Sequence, residues 1–139
     1  TGITAKTLKD APPVEEVIKE FQEFVGSLPM VGYNAAKSDL PILAEHGLDY
    51  SQQYKVDLYD EAFERRSSDL HGIANLKLQT VASFLGFQGQ SHNSLEDARM
   101  TARVYESFLE SDQARELLGA ESSLSNNPFG GLDLSQLFD

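Results

Sequence analysis

The middle of the chain carries a strand, a polar turn and a helix in direct succession, in residues 30–43, which read MVGYNAAKSDLPIL. Residues 30–33 form a short apolar run, which is typical of a buried strand. Ser38 is the expected N-cap of a helix over residues 39–46. A second short strand is predicted at residues 56–58. Short strands that alternate with helices predict an α/β domain.

Further helices are predicted around these strands, over residues 12–25, 61–65 and 76–85 and from Ser94 onward. Ser94 and Asp97 resemble a capping box at the start of the last of these helices. A separate short helix is predicted at residues 112–119, and residues 1–11 are predicted to form a loop. The domain is therefore helix-rich.

Two short strands are too few to make a stable sheet by themselves. We therefore expect that the sheet is completed by strands that precede Thr1, or by another chain. Because the first residue is not Met, we interpret the sequence as processed, truncated or a piece of a longer protein.

Composition limits the classes of function that the chain can have. The 139 residues are enough for one domain, and the absence of cysteine excludes disulfides and thiolate metal sites. No apolar run is long enough to span a membrane and no signal segment is recognisable, so we expect a cytoplasmic protein without membrane contact. The net charge of −11 argues against a protein that coats DNA, but not against a nuclease whose metal ions bridge carboxylates to phosphates.

Two local groups of residues carry the side chains that suit phosphodiester hydrolysis. Asp39 follows the first strand, and His92 precedes Asp97 at the start of the last helix. Carboxylates bind hard divalent ions, and a histidine can accept the proton of an attacking water. Each residue also has a plain alternative, since both aspartates suit helix starts and the histidine suits a solvated loop. We interpret His46 as a residue at a helix end and His71 as a surface residue.

The order of these groups resembles the DnaQ-like exonuclease family. Residues 33–43 are similar to its second motif, and residues 92–98 with 101–102 are similar to the third motif of its DEDDh branch, His-x-Ala-x-x-Asp-Ala. The resemblance covers residues 1–110. It implies an RNase H-like fold and hydrolysis of nucleic acid from the 3′ end by a site with two Mg²⁺ or Mn²⁺ ions.

Individual roles follow from the matching positions. By resemblance, Asp39 and Asp97 are two of the four metal-binding carboxylates and His92 is the general base. Asn34 and Ser38 are expected to contact the substrate, the 3′ end of a single strand. The context implied is proofreading beside a polymerase, a stand-alone nuclease, or trimming of CRISPR spacer precursors.

The family's first motif, a strand with Asp-x-Glu, is absent from the sequence. Asp10 and the pair Glu15–Glu16 are poor substitutes, since they precede or lie on a helix. Residues 1–119 are therefore predicted to be a partial domain that lacks its N-terminal central strands. Two carboxylates offset only half of the charge of two divalent ions, so we expect little or no hydrolysis by this chain alone.

The alternative is a catalytically silent interaction module. Asp57 matches a family aspartate that we interpret as structural.

The C-terminal residues differ in composition from the rest. Residues 122–131 are rich in Ser, Asn and Gly, which is typical of a flexible linker, and in residues 132–138 apolar residues return and alternate with polar ones. This tail faintly resembles the peptides with which bacterial replication proteins bind the sliding clamp. We expect residues 120–139 to contact a clamp, polymerase or other partner, or else to be a disordered end or to fold on their own domain.

Overall fold

The computed structural model describes residues 2–89 and 93–119, so that His92 and residues 120–139 lie outside the described part. The predicted α/β class is confirmed. The helices and strands, in chain order, are α1 Ala5–Lys9, α2 Val14–Val25, β1 Met30–Gly32, α3 Asp39–Glu45, β2 Lys55–Asp57, α4 Leu58–Glu64, a 3₁₀ helix Arg65–Ser67, α5 Leu78–Phe84 and α6 Ser94–Leu117.

The sheet is a pair of parallel strands. Val31 of β1 lies opposite Val56 of β2, and Gly32 lies opposite Asp57. Helix α3 connects the two strands, as a parallel pair requires. Within the described residues each strand pairs only with the other, so the outer edge of each has no strand partner.

The core lies where α6 packs against α5, α4 and β1. Its buried side chains are mostly aliphatic and aromatic: Val56, Leu58, Ala62, Leu70, Val81, Ala82, Met100, Val104, Tyr105, Phe108 and Leu109. Burial of each large side chain stabilises the fold by about 1.5–3 kcal/mol. The core therefore fixes the first turn of α6 beside the end of β1. None of the described helices is long and apolar enough to cross a membrane.

A buried arginine ties the middle of the chain to the distal half of α6. Arg65 is 2% exposed, and its guanidinium donates to Asp112 at 2.6 Å and to Glu61 at 2.7 Å. The guanidinium carbon also lies 4.4 Å from the centre of the Phe108 ring. A buried charge is costly unless it is paired, so these contacts fix the position of α6 relative to α4.

Two predictions of helix boundaries are wrong. Residues 1–11 contain α1, whose N-cap Thr4 accepts a hydrogen bond from the backbone N–H of Thr7. That helix buries no residue, so it lacks the apolar stripe by which helices are recognised in a sequence. The separate helix predicted at residues 112–119 is the end of α6, which continues because Asp112 is buried against Arg65.

The capping box predicted at Ser94 is also wrong. Asn93 is the N-cap of α6, and its side-chain oxygen accepts from the backbone N–H groups of Leu95 and Glu96 at 3.1 and 3.2 Å. Asparagine stabilises a helix start as well as serine does, so an N-cap one residue earlier than predicted costs no stability.

Replacing Asp112 by Ala should destabilise the fold by about 3–5 kcal/mol, because Arg65 then stays buried without its interhelical partner. The matched control is Glu96→Gln, which breaks the exposed Arg99–Glu96 pair and should cost less than about 1 kcal/mol. Urea unfolding followed by circular dichroism measures both. Equal midpoints for the two variants would contradict a stabilising role of the buried pair.

Candidate active site

The turn after β1 is held by the carboxylate of Asp57. Its Oδ1 accepts from the backbone N–H of Asn34 at 2.6 Å, and its Oδ2 accepts from that of Ala36 at 3.2 Å. The same Oδ1 caps α4 by accepting from the backbone N–H of Tyr59 at 3.1 Å. Asp57 is thus a structural residue, as the sequence predicts.

Asn34 has a backbone φ of +58°, a left-handed conformation that asparagine tolerates better than most residues. Directly before the turn, a Cβ on Gly32 would lie 2.5 Å from the Cβ of Ala35, so only glycine fits there. The chain therefore reverses tightly at the end of β1. This reversal determines where α3 begins.

Ser38 precedes α3 but does not cap it in the predicted way. Its hydroxyl donates to the carbonyl oxygen of Asn34 at 2.9 Å, and its side chain accepts no hydrogen bond from the helix. The Ser38 hydroxyl bonds within the turn instead of capping the helix, because the tight fold of the loop brings the Asn34 carbonyl within its reach. Asp39 is then the first residue of α3, and it is exposed.

Asp97 is positioned by α6. Its backbone N–H donates to the carbonyl of Asn93 at 2.9 Å, and its own carbonyl accepts from the Thr101 hydroxyl at 2.8 Å. The residue is half-buried in the first turn, and the packing of α6 on β1 brings it towards the end of the strand.

One open cleft of about 530 Å³ is lined by both predicted metal ligands, Asp39 and Asp97. Ser38 lines the same cleft, together with Gly32 of β1. Asn34 lines a neighbouring cleft instead. The structure thus brings together three of the five residues predicted for the site, and the fifth, His92, lies outside the described residues.

The donors in this cleft suit a hard divalent ion but do not complete its coordination. Neither Asp39 nor Asp97 forms an ion pair with another residue of the described part. No cluster of three or more histidines, aspartates or glutamates that could hold a metal is found in residues 2–89 and 93–119. Mg²⁺ prefers six oxygen ligands, so two carboxylates fit part of a metal site and require further ligands.

Tyr33 is a residue of the site that the sequence reasoning missed. Burial, reinforced by Tyr59 and Asp57, raises the pKa of its hydroxyl above the ordinary value, so the group stays protonated. The hydroxyl donates to the carbonyl of Leu76, and the ring meets that of Tyr59 edge-on, at 6.1 Å and 84°. Tyr33 therefore joins the end of β1 to the segment before α5. A tyrosine at a strand end next to a turn asparagine was the available signal.

Replacing Asp57 by Ala should loosen the turn that carries Asp39, because three backbone N–H groups lose their acceptor. We expect a loss of about 2–3 kcal/mol in unfolding free energy and faster amide hydrogen exchange at Asn34 and Ala36. Asp60→Ala is the matched control, since this exposed neighbour accepts no side-chain hydrogen bond within the described part. Unchanged hydrogen exchange in Asp57→Ala would contradict the role of this carboxylate in holding the turn.

Residues 1–105 match the family model RNase T, which is described as an exonuclease. The chain is 30% identical over 115 residues to DNA polymerase III subunit epsilon of Aquifex aeolicus, an alignment that covers 79% of the chain and 54% of that relative. It is also 30% identical over 105 residues to the PolC-type DNA polymerase III of Clostridium perfringens, covering 75% of the chain and 7% of the polymerase. No solved structure matches significantly.

The chain spans about half of the epsilon subunit and a small part of the PolC-type enzymes. The family match covers well over half of the chain and includes the two regions with motif resemblance, residues 33–43 and 92–98. The resemblance seen in the sequence is thereby confirmed, and the chain belongs to the DnaQ-like family of exonucleases.

Proposed function

We propose that this chain supplies part of the active site of a metal-dependent 3′–5′ exonuclease that removes nucleotides from the 3′ end of a single strand. The observation that supports this most strongly is the cleft shared by Asp39 and Asp97. Two aspartates from separate helices line this cleft together with Gly32 at the end of β1, and neither is neutralised by a cation of the described residues.

The chemistry expected in the cleft follows from its donors. Asp39 and Asp97 would hold Mg²⁺ or Mn²⁺, two ions in the complete site, and these ions supply charge neutralisation and an acidified water when bound. His92 would accept the proton of the attacking water, because a histidine titrates near neutral pH. Ser38 lines the same cleft and Asn34 the next one, which suits contact with the terminal nucleotides.

The site requires two more carboxylates. Two divalent ions carry four positive charges, and Asp39 with Asp97 offsets two of them. The outer edge of β1 has no strand partner in the described residues, and Val31 and Gly32 of that strand line the acidic cleft. We propose that a strand with Asp-x-Glu, encoded upstream or supplied by another chain, pairs with this edge and completes an RNase H-like sheet. Without it, residues 1–139 should hydrolyse little or nothing.

The names of the relatives favour one biological setting. Both relatives described above are named as DNA polymerase III components, so we propose proofreading beside a polymerase, with residues 120–139 as the segment that contacts the clamp or polymerase. Trimming of CRISPR spacer precursors stays a prediction that no observation favours.

A catalytically silent interaction module is the second candidate. It is favoured by the number of acidic ligands, since the described residues bring only two carboxylates into the cleft. The two candidates differ in whether the whole-length protein degrades a nucleic acid.

The test is an assay of the whole-length protein on a single-stranded oligodeoxynucleotide with Mg²⁺ or Mn²⁺. A 5′ label should reveal stepwise shortening from the 3′ end. His92→Ala should lower the rate by about 10²–10⁴-fold, because proton transfer to a positioned base is lost. His71→Ala, in an exposed loop, is the matched control and should leave the rate unchanged.

Two outcomes would contradict the proposal. An intact strand after incubation with the whole-length protein would favour the silent module. A rate for His92→Ala equal to that of His71→Ala would remove the histidine from the mechanism.

A further inference from the structure

A second cleft, of about 370 Å³, lies next to the acidic one. The two clefts share Tyr33 and Leu78 as lining residues, so they are neighbours on one surface. The second cleft contains no carboxylate in its lining, which consists of Tyr33, Asn34, Tyr59, Leu76, Lys77 and Leu78. A nucleic-acid strand that enters the acidic cleft from this side would therefore cross a surface without carboxylates.

Positive charge is available at this second cleft. Lys77 lines it, and the ammonium group of Lys37 lies 6.0 Å from the centre of the Tyr59 ring. Both lysines are exposed, and neither forms an ion pair within the described residues. Arg65 and Arg115, by contrast, are bound to carboxylates. In a chain of net charge −11, unpaired lysines beside an acidic cleft suit an anionic ligand.

The aromatic part of the cleft is held in place. Tyr59 is half-buried and meets Tyr33 edge-on, and the Tyr33 hydroxyl is bound to the Leu76 carbonyl. The backbone N–H of Lys77 donates to the Asn75 side chain at 3.0 Å, which orders the loop before α5. A fixed aromatic ring next to a cation is the arrangement on which proteins stack unpaired bases while neutralising the phosphate.

We propose that Tyr59, Lys77 and Lys37, which we call the lysine shelf, bind the nucleotides that precede the scissile bond of a single strand. The ammonium of Lys77 pairs with a backbone phosphate, and the Tyr59 ring stacks on a base. This role rests on the proposed function, because it requires that the 3′ end lies in the cleft of Asp39 and Asp97. A single strand is favoured over a duplex, since stacking on Tyr59 needs a base that is free of its partner.

The test measures binding rather than hydrolysis. A fluorescent hexathymidylate is titrated with the whole-length protein in Ca²⁺ at several salt concentrations, and the anisotropy gives the affinity. Lys77→Met should weaken binding and reduce the slope of log affinity against log salt by about 0.7, the value for one phosphate contact on a single strand. Lys19→Met, an exposed lysine on α2, is the matched control and should change neither quantity.

Tyr59 is tested in the same assay. Tyr59→Leu should lower the affinity by about 5- to 150-fold, the effect of losing one stacked base, and Tyr59→Phe should restore it. The unfolding midpoint of each variant shows whether the fold is kept.

Wild-type protein that does not bind the oligonucleotide would overturn the lysine shelf, as would a salt slope for Lys77→Met equal to that of Lys19→Met. Hydrolysis in Mg²⁺, assayed separately, decides the proposed function. A protein that binds through Lys77 but never shortens the strand would support strand binding by the lysine shelf and contradict the proposed hydrolysis.

Discussion

The geometry of the site depends on the hydrogen bonds that the carboxylate of Asp57 accepts. This carboxylate joins three backbone N–H groups that belong to two segments, the turn after β1 and the start of α4. Such charge-assisted bonds are stronger than neutral ones and fix both segments to the end of β2. The hydrogen bonds of Asp57 thus set the position at which α3 begins with Asp39. Tyr33 and Tyr59, which flank the bonded segments, line the second cleft. One structural aspartate thereby positions the residues of two adjoining surfaces.

The acidic residues of the chain perform two different tasks. Asp112 and Asp69 neutralise arginines in and around the core and fix α6, whereas Asp39 and Asp97 line the open cleft without an ion pair in the described residues. Stability accounts for the first pair. The second pair lies in an open cleft, so its carboxylates are free of protein cations in the described part and are accessible to a cation or a ligand. The contrast distinguishes carboxylates that stabilise the fold from two that are accessible in the cleft, which is the condition that the proposed metal site requires.

Local sequence patterns predict several parts of the molecule correctly. The strand–turn–helix of residues 30–43 and the aspartates at the starts of α3 and α6 follow from apolar runs and helix-start chemistry. Elements without an apolar stripe, and features that depend on tertiary contacts, are not recognisable from the sequence. Helix α1 buries nothing, α6 continues through Asp112 because of a distant arginine, and Tyr33 gains its role from the Leu76 carbonyl. The roles of Asp39, Asp97, Asn34, Ser38 and His92 in catalysis stay predictions.

We propose that Asp39 and Asp97 both belong to the site that binds divalent ions. Line broadening of backbone amide signals on addition of Mn²⁺ tests it directly, since even weak binding of this paramagnetic ion is visible. We expect broadening to be strongest at the starts of α3 and α6 and to disappear in a variant with both aspartates changed to Asn. Equal broadening at the exposed acidic pair Glu15–Glu16 of α2, or broadening that persists in the double variant, would contradict it.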